Sequence, residues 1–144
     1  MFNIILKLDN FLGAQDCNHL IKHFNNNIDK TSPFGDRIIL KYKNETILEK
    51  LNSMMTFFNF KNIDNMEIVK WPEGSALPPH HDDGDFLTFI IFLNEDFDGG
   101  ESVIENIKIK PKLGDLLIFS NGLYLHEIKK IKKGERFVLI AWYK

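Results

Sequence analysis

The sequence predicts a mainly β protein, a double-sheet jelly roll of about eight strands with two helices confined to the N-terminal half. Three observations lead there. Beyond Asn65, short runs rich in Ile, Val, Phe and Leu alternate with Gly, Pro, Asn and Asp. Helical periodicity occurs only before that point, and eight strands is the count at which two antiparallel sheets close on each other. The chain has 144 residues, the size of one ordinary domain, so residues 1–144 are expected to form a single unit. Such a unit buries about 70% of the surface its unfolded chain exposes.

Phe2 to Leu8 reads as an outer strand. From Gln15 to Phe24, Cys17, Leu20, Ile21 and Phe24 recur at helical spacing, and Asn25, Asn26 and Asn27 supply a stop. Asp29 to Asp36 has turn chemistry and no periodicity, which predicts a surface loop able to act as a lid. Arg37–Tyr42 is a further strand. A second helix fits Glu45 to Phe58, with Ile47, Leu48, Leu51, Met54, Met55 and Phe58 on one face. Six strands complete the count: Met66–Trp71, Phe86–Leu93, Ser102–Ile109, Asp115–Phe119, His126–Ile131 and Arg136–Trp142.

Hydrophobic residues make up 44% and charged residues 26%, which excludes a disordered tail. A net charge of -2 provides no basic field for nucleic acid or anionic membrane, so neither is an expected partner. Cys17 stands alone, which excludes an internal disulfide framework and a thiolate zinc cluster. The opening residues fit neither a signal peptide nor a membrane span, so a cytoplasmic, monomeric or weakly dimeric protein is expected. Sixteen lysines accompany two arginines, and each arginine therefore draws notice.

The chemistry concentrates in Pro78-Pro79-His80-His81-Asp82-Asp83. On an extended backbone residues i and i+2 point to one side, so His80 and Asp82 can present an imidazole and a carboxylate to one point. His126, opening a later strand, supplies a third donor. Two imidazoles and one carboxylate with open positions suit non-haem Fe(II). Arg136 follows at the start of the last strand. Its planar fork suits the far carboxylate of a dicarboxylate whose other end chelates the metal. The plainer alternative is a rim charge balancing Glu135 or Asp115. His81 and Asp83 have the same spacing but the opposite pleat. His19 and His23, four apart on the first helix, lack a third ligand and read as a helix face. Cys17 reads as a small core residue, and the lysines at 129, 130, 132 and 133 read as a solvated turn.

The ordered series resembles the Fe(II)/2-oxoglutarate-dependent dioxygenases, in particular the prolyl 4-hydroxylase-like branch. It runs from Trp71-Pro72-Glu73-Gly74 through Pro79-His80-His81-Asp82 and from Thr88 to Leu93-Asn94, then Gly99-Gly100-Glu101. Pro111, Gly114-Asp115, His126-Glu127-Ile128, Gly134, Arg136 and Ala141-Trp142-Tyr143 follow in the family's order. The resemblance implies a double-stranded β-helix, with Fe(II) on His80, Asp82 and His126 and the C5 carboxylate of 2-oxoglutarate on Arg136. It also implies O2 as a reactant, ascorbate as an accessory reductant, and hydroxylation of a prolyl residue in a peptide or protein. That hydroxylation would be coupled to decarboxylation of 2-oxoglutarate to succinate and CO2. A free amino acid or other small molecule is the alternative substrate, and a non-catalytic jelly-roll binding module is the alternative class. The chain departs from the family where Trp71 and Phe92 stand at positions that often hold tyrosine. Those tyrosine hydroxyls can assist the arginine, a role that Thr88 or water would have to fill here.

Overall fold

The computed structural model describes residues 3–56, 63–84 and 87–143. The strands are β1 (Ile5–Leu8), β2 (Ser32–Phe34), β3 (Arg37–Lys41), β4 (Ile63–Trp71), β5 (Leu77–His80), β6 (Leu87–Phe92) and β7 (Asp98–Gly99). They continue with β8 (Ser102–Ile104), β9 (Ile107–Ile109), β10 (Leu116–Ser120), β11 (His126–Ile128), β12 (Ile131–Lys133) and β13 (Arg136–Tyr143). The helices are α1 (Ala14–Asn26) and α2 (Glu45–Met55), with a 3-10 turn at Ile28–Lys30. Mainly β with two early helices is therefore the observed class. No helix among the described residues is long and apolar enough to cross a membrane.

A seven-stranded sheet runs β1-β10-β6-β13-β4-β3-β2, and a four-stranded sheet runs β5-β11-β8-β9, every pairing antiparallel. β7 and β12 form a separate two-stranded ladder. The large sheet carries a core on each face, as the strand period of two requires. From β13, Phe137, Leu139, Ala141 and Tyr143 join the helices, while Val138 joins Val69, Trp71, Ile90 and Phe92 toward the small sheet. Ile104 and Ile109 of the small sheet complete that second core.

The helices form for local reasons. In α1, Cys17, Leu20 and Phe24 fall on one buried face, and Asn27 donates to the His23 carbonyl at 2.8 Å, closing the last turn. In α2, the Asn44 side chain caps the Ile47 N–H at 3.0 Å, and Ile47, Leu51 and Met55 face the sheet. Phe24 meets Phe137 of β13 edge to face at 5.5 Å. The Tyr143 hydroxyl donates to Asn52, fastening the end of β13 to α2.

The expected count of about eight strands is corrected to thirteen among the described residues, because two of the expected runs each divide in two and β2, β5 and β7 form where no strand was expected. Ser102–Ile109 folds back as a hairpin, with Glu105 at φ 53° making the turn. His126–Ile131 splits where the chain leaves β8 to pair with β7. Asp29–Asp36 is not a plain loop: Ser32–Phe34 pairs with β3 around Gly35 at φ 59°. Pro33, which lacks an N–H, is tolerated there because β2 is the sheet's edge. The expected helical position of Phe58, the start of the first strand at Phe2 and the strand start at Phe86 lie outside the described residues.

Phe24, 1% exposed, anchors α1 to the sheet. Phe24→Ala should cost about 3–5 kcal/mol of unfolding free energy, measured by urea denaturation.

Candidate metal centre

The site lies between the two sheets. β5 and β11 pair so that His80 is directly opposite His126, which sets two imidazoles side by side with ring centres 4.2 Å apart. Asp82 follows β5 by two residues. Its N–H donates to the Asn121 carbonyl at 3.2 Å, and the Asn121 side-chain amide donates to Asp82 Oδ2 at 3.1 Å. Asp82 Oδ1 lies 3.2 Å from His80 Nε2, and Oδ2 lies 3.5 Å from His126 Nε2. One ligand atom from each of the three residues falls within 4.8 Å of the others, a set able to hold a metal ion.

Both imidazoles are oriented by the backbone. His80 Nδ1 bonds the Pro78 carbonyl at 2.8 Å, and His126 Nδ1 bonds the Tyr124 carbonyl at 2.8 Å. A carbonyl only accepts, so each Nδ1 carries the proton and each Nε2 is left to face Asp82. Phe119 packs edge to face on His126 at 4.9 Å. Gly122 lets the loop close, since a Cβ there would sit 2.1 Å from the Gly84 carbonyl oxygen. His81 and Asp83 are exposed beside the site, and His81 takes no part in the cluster. His19 and His23 are exposed on α1, His23 lying against the Tyr42 ring.

Charge in the cluster follows from this geometry. Burial raises the Asp82 pKa, but the hydrogen bond and charge of His126, the charge of His80 and the Asn121 amide outweigh it and bring the net value down. Burial lowers the His126 pKa, but the Asp82 hydrogen bond and charge and the Tyr124 carbonyl outweigh it and take the net value up.

A cavity of about 470 Å³ opens from the three side chains toward the large sheet. Arg136, 1% exposed, forms its inner wall with Ser102 and Val138. Its Nη2 donates to Ser102 Oγ at 3.1 Å, while Nε and Nη1 are buried without a partner. Burial alone lowers its pKa from 12.5 to about 9. The residues that would make it a rim charge are otherwise engaged: Glu135 pairs with Lys70 at 2.9 Å and Asp115 with Lys7 at 3.1 Å. Gly100, at φ 68°, leaves room for the arginine stem, because a Cβ would come 3.3 Å from its Cδ. A buried guanidinium with unspent donors requires an anion.

Trp71 and Trp142 line the cavity, whereas Phe92 lies under the Arg136 guanidinium at 5.6 Å. Thr88 makes no hydrogen bond to Arg136: its hydroxyl is buried without a partner on β6, beside Trp142 and Phe119. The hydroxyl that meets the guanidinium is that of Ser102. Sequence reasoning missed both Ser102 and Asn121, since neither stands at a distinctive spacing. The lysines at 129, 130, 132 and 133 are exposed, and Lys129 pairs with Glu127 at 3.2 Å.

The fold and the site together define a mainly β protein that can hold a metal ion beside an anion-seeking arginine. The profile of the 2OG-Fe(II) oxygenase superfamily matches residues 66–144, and the chain belongs to that superfamily. A PKHD-type hydroxylase of Prochlorococcus marinus (strain MIT 9515) is 34% identical over 88 residues, covering 57% of this chain and 38% of that protein. The chain thus spans well under half the length of that relative. A Trichoplax adhaerens prolyl hydroxylase, solved with a hypoxia inducible factor peptide fragment, superposes with a TM-score of 0.85 at 18% identity over 98% of this chain and 83% of that one. A Pseudomonas putida prolyl-4-hydroxylase superposes with a TM-score of 0.84 at 17% identity over 99% and 92%. These two likenesses are likenesses of fold.

Two outcomes follow. Asn121→Ala should weaken Co(II) binding roughly 10- to 100-fold, read by competition with a fluorescent chelator, because Asp82 loses its anchor. For the metal-free protein, Asp82 stabilises fully above about pH 3.8 and loses this as pH falls through its depressed value. His126 stabilises fully below about pH 6.5 and loses this as pH rises through its elevated value. The pair therefore contributes most between those limits, and a plot of Tm against pH for His126→Gln should lack the loss on the alkaline side.

Proposed function

We propose that this chain is an Fe(II)- and 2-oxoglutarate-dependent hydroxylase, with residues 1–144 forming one double-stranded β-helix domain. His80, Asp82 and His126 would hold the metal, and Arg136 the distal carboxylate of 2-oxoglutarate. The observation that carries this reading is Arg136 itself, buried, short of an anion, and set in the wall of the cavity that the three donors share.

The chain's own groups account for binding and orientation. The Pro78 and Tyr124 carbonyls hold both imidazoles with Nε2 inward. Asn121 occupies Asp82 Oδ2, which leaves Oδ1 as the freer ligand atom. Ser102 and Arg136 together offer a hydroxyl and a fork to a carboxylate, and the neighbouring Val69 and Val138 give that end of the cavity an apolar wall. Bound Fe(II) would supply the redox chemistry that couples O2 and 2-oxoglutarate decarboxylation to substrate hydroxylation.

A prolyl residue of a peptide or protein is the substrate this reading favours, on the likeness of fold to prolyl hydroxylases. A free amino acid or other small molecule is the second reading, since the described residues form a cavity of only about 470 Å³. The lone, buried Cys17 suits a reducing, cytoplasmic setting.

Anaerobic titration with Fe(II) and 2-oxoglutarate should produce the visible charge-transfer band of the chelate. His126→Ala should abolish metal retention and succinate release. Arg136→Gln should keep the metal and lose 2-oxoglutarate affinity by at least about tenfold. A protein that takes up Fe(II) but never binds 2-oxoglutarate would sink the assignment.

A further inference from the structure

The other arginine has no part in the chemistry above, yet it lies on the same cavity. Arg37 of β3 is opposite Phe34 of β2, and the β3–β4 register, Ile38 against Lys70, sets it beside Trp71. Trp71 is in turn opposite Arg136. Phe34, Arg37, Trp71 and Arg136 thus form one row across four neighbouring strands. The backbones of the two arginines sit about two strand spacings apart, roughly 10 Å.

Arg37 is half-buried, with its guanidinium carbon 4.6 Å from the centre of the Phe34 ring and 5.2 Å from that of Trp71. Stacking of this kind covers a guanidinium face and leaves the N–H edge free. Among the described residues that edge meets no hydrogen-bond acceptor and no carboxylate at ion-pair distance. Glu67 and Asp82 pull on the charge only from farther off. Burial meanwhile works against the charged form. A cation held by two rings, partly out of water and with its donors unspent, is built to receive a ligand.

We propose that Arg37 is a substrate-binding residue that takes a carboxylate of the substrate, carried by the target residue or by its neighbour. This rests on the hydroxylase reading. Arg136 serves the co-substrate from the closed end of the cavity, and Arg37 serves the substrate at the end toward the exposed β2–β3 hairpin. A carboxylate fits better than a phosphate. The fork matches two oxygens, and Glu67, Asp82, Asp83 and Glu127 around the cavity oppose a second negative charge. The carboxylate has two sources, an acidic side chain beside the target proline or the α-carboxylate of a terminal or free residue.

Calorimetry on protein loaded with Mn(II) and 2-oxoglutarate tests this without turnover. The probes are N-acetyl-L-proline against N-acetyl-L-prolinamide, and the capped dipeptide Pro-Asp against capped Pro-Asn. In at least one pair the acid should bind at least about tenfold tighter than its amide, and the pair that responds identifies the source. Arg37→Gln should remove the preference, and Arg37→Lys, which keeps charge but not the fork, should retain part of it. Equal binding within both pairs by the unaltered protein overturns the proposal whether or not the variants fold, as does a preference that survives in Arg37→Gln. Either result, with Mn(II) and 2-oxoglutarate bound, leaves the hydroxylase reading intact. Failure to bind 2-oxoglutarate at all overturns both.

Discussion

β13 is the strand on which the rest of the molecule depends. It is hydrogen-bonded along its length to β4 on one side and β6 on the other, so both edges are spent and only its two faces remain to work. A period of two then obliges it to serve two cores at once. Phe137, Leu139, Ala141 and Tyr143 hold the helices, while Val138, Ile140 and Trp142 line the cavity. Its first residue is an arginine on the cavity side, where an aliphatic residue would complete the apolar wall. That charge is tolerable because it abuts a cavity, and its unspent donors turn a packing position into a binding one.

The opposite wall solves a different problem. Two imidazoles and a carboxylate must be close without collapsing on one another in an arrangement useless for ligation. Register accomplishes the first part, since β5 and β11 set His80 against His126. Hydrogen bonds accomplish the second, through the Pro78 and Tyr124 carbonyls and the Asn121 amide. The mutual support between Asp82 and His126 shows the cost of bringing such groups together: each is partly buried, and each shifts the other's pKa in favour of its charged form.

How far the site could be read in advance differs residue by residue. His80 and Asp82 were readable because an i, i+2 pair shares a side on an extended backbone, but His81 and Asp83 satisfy the same rule, and only the resemblance, with Trp71 and Gly74 in register, put His80 first. Arg136 stood out because arginine is rare in this chain. Asn121 and Ser102 did not, since a small polar residue in a strand or turn has no spacing that marks it. Their roles come from partners 39 and 34 positions away. Strand number was underestimated for a related reason. Composition shows an apolar run, but not that Glu105 turns it through a left-handed conformation or that it changes partner midway.

The sequence alone determined the mainly β class of the fold, the place of its two helices and the residue types available for chemistry, because these depend on local periodicity and on side-chain identity. The tertiary structure decided which strands are neighbours and in what register. Pairing energy is nearly the same for many registers, and only packing of both faces selects one. That selection places Arg37 beside Trp71, Ser102 against Arg136 and Asn121 on Asp82, giving each an environment that no local segment contains.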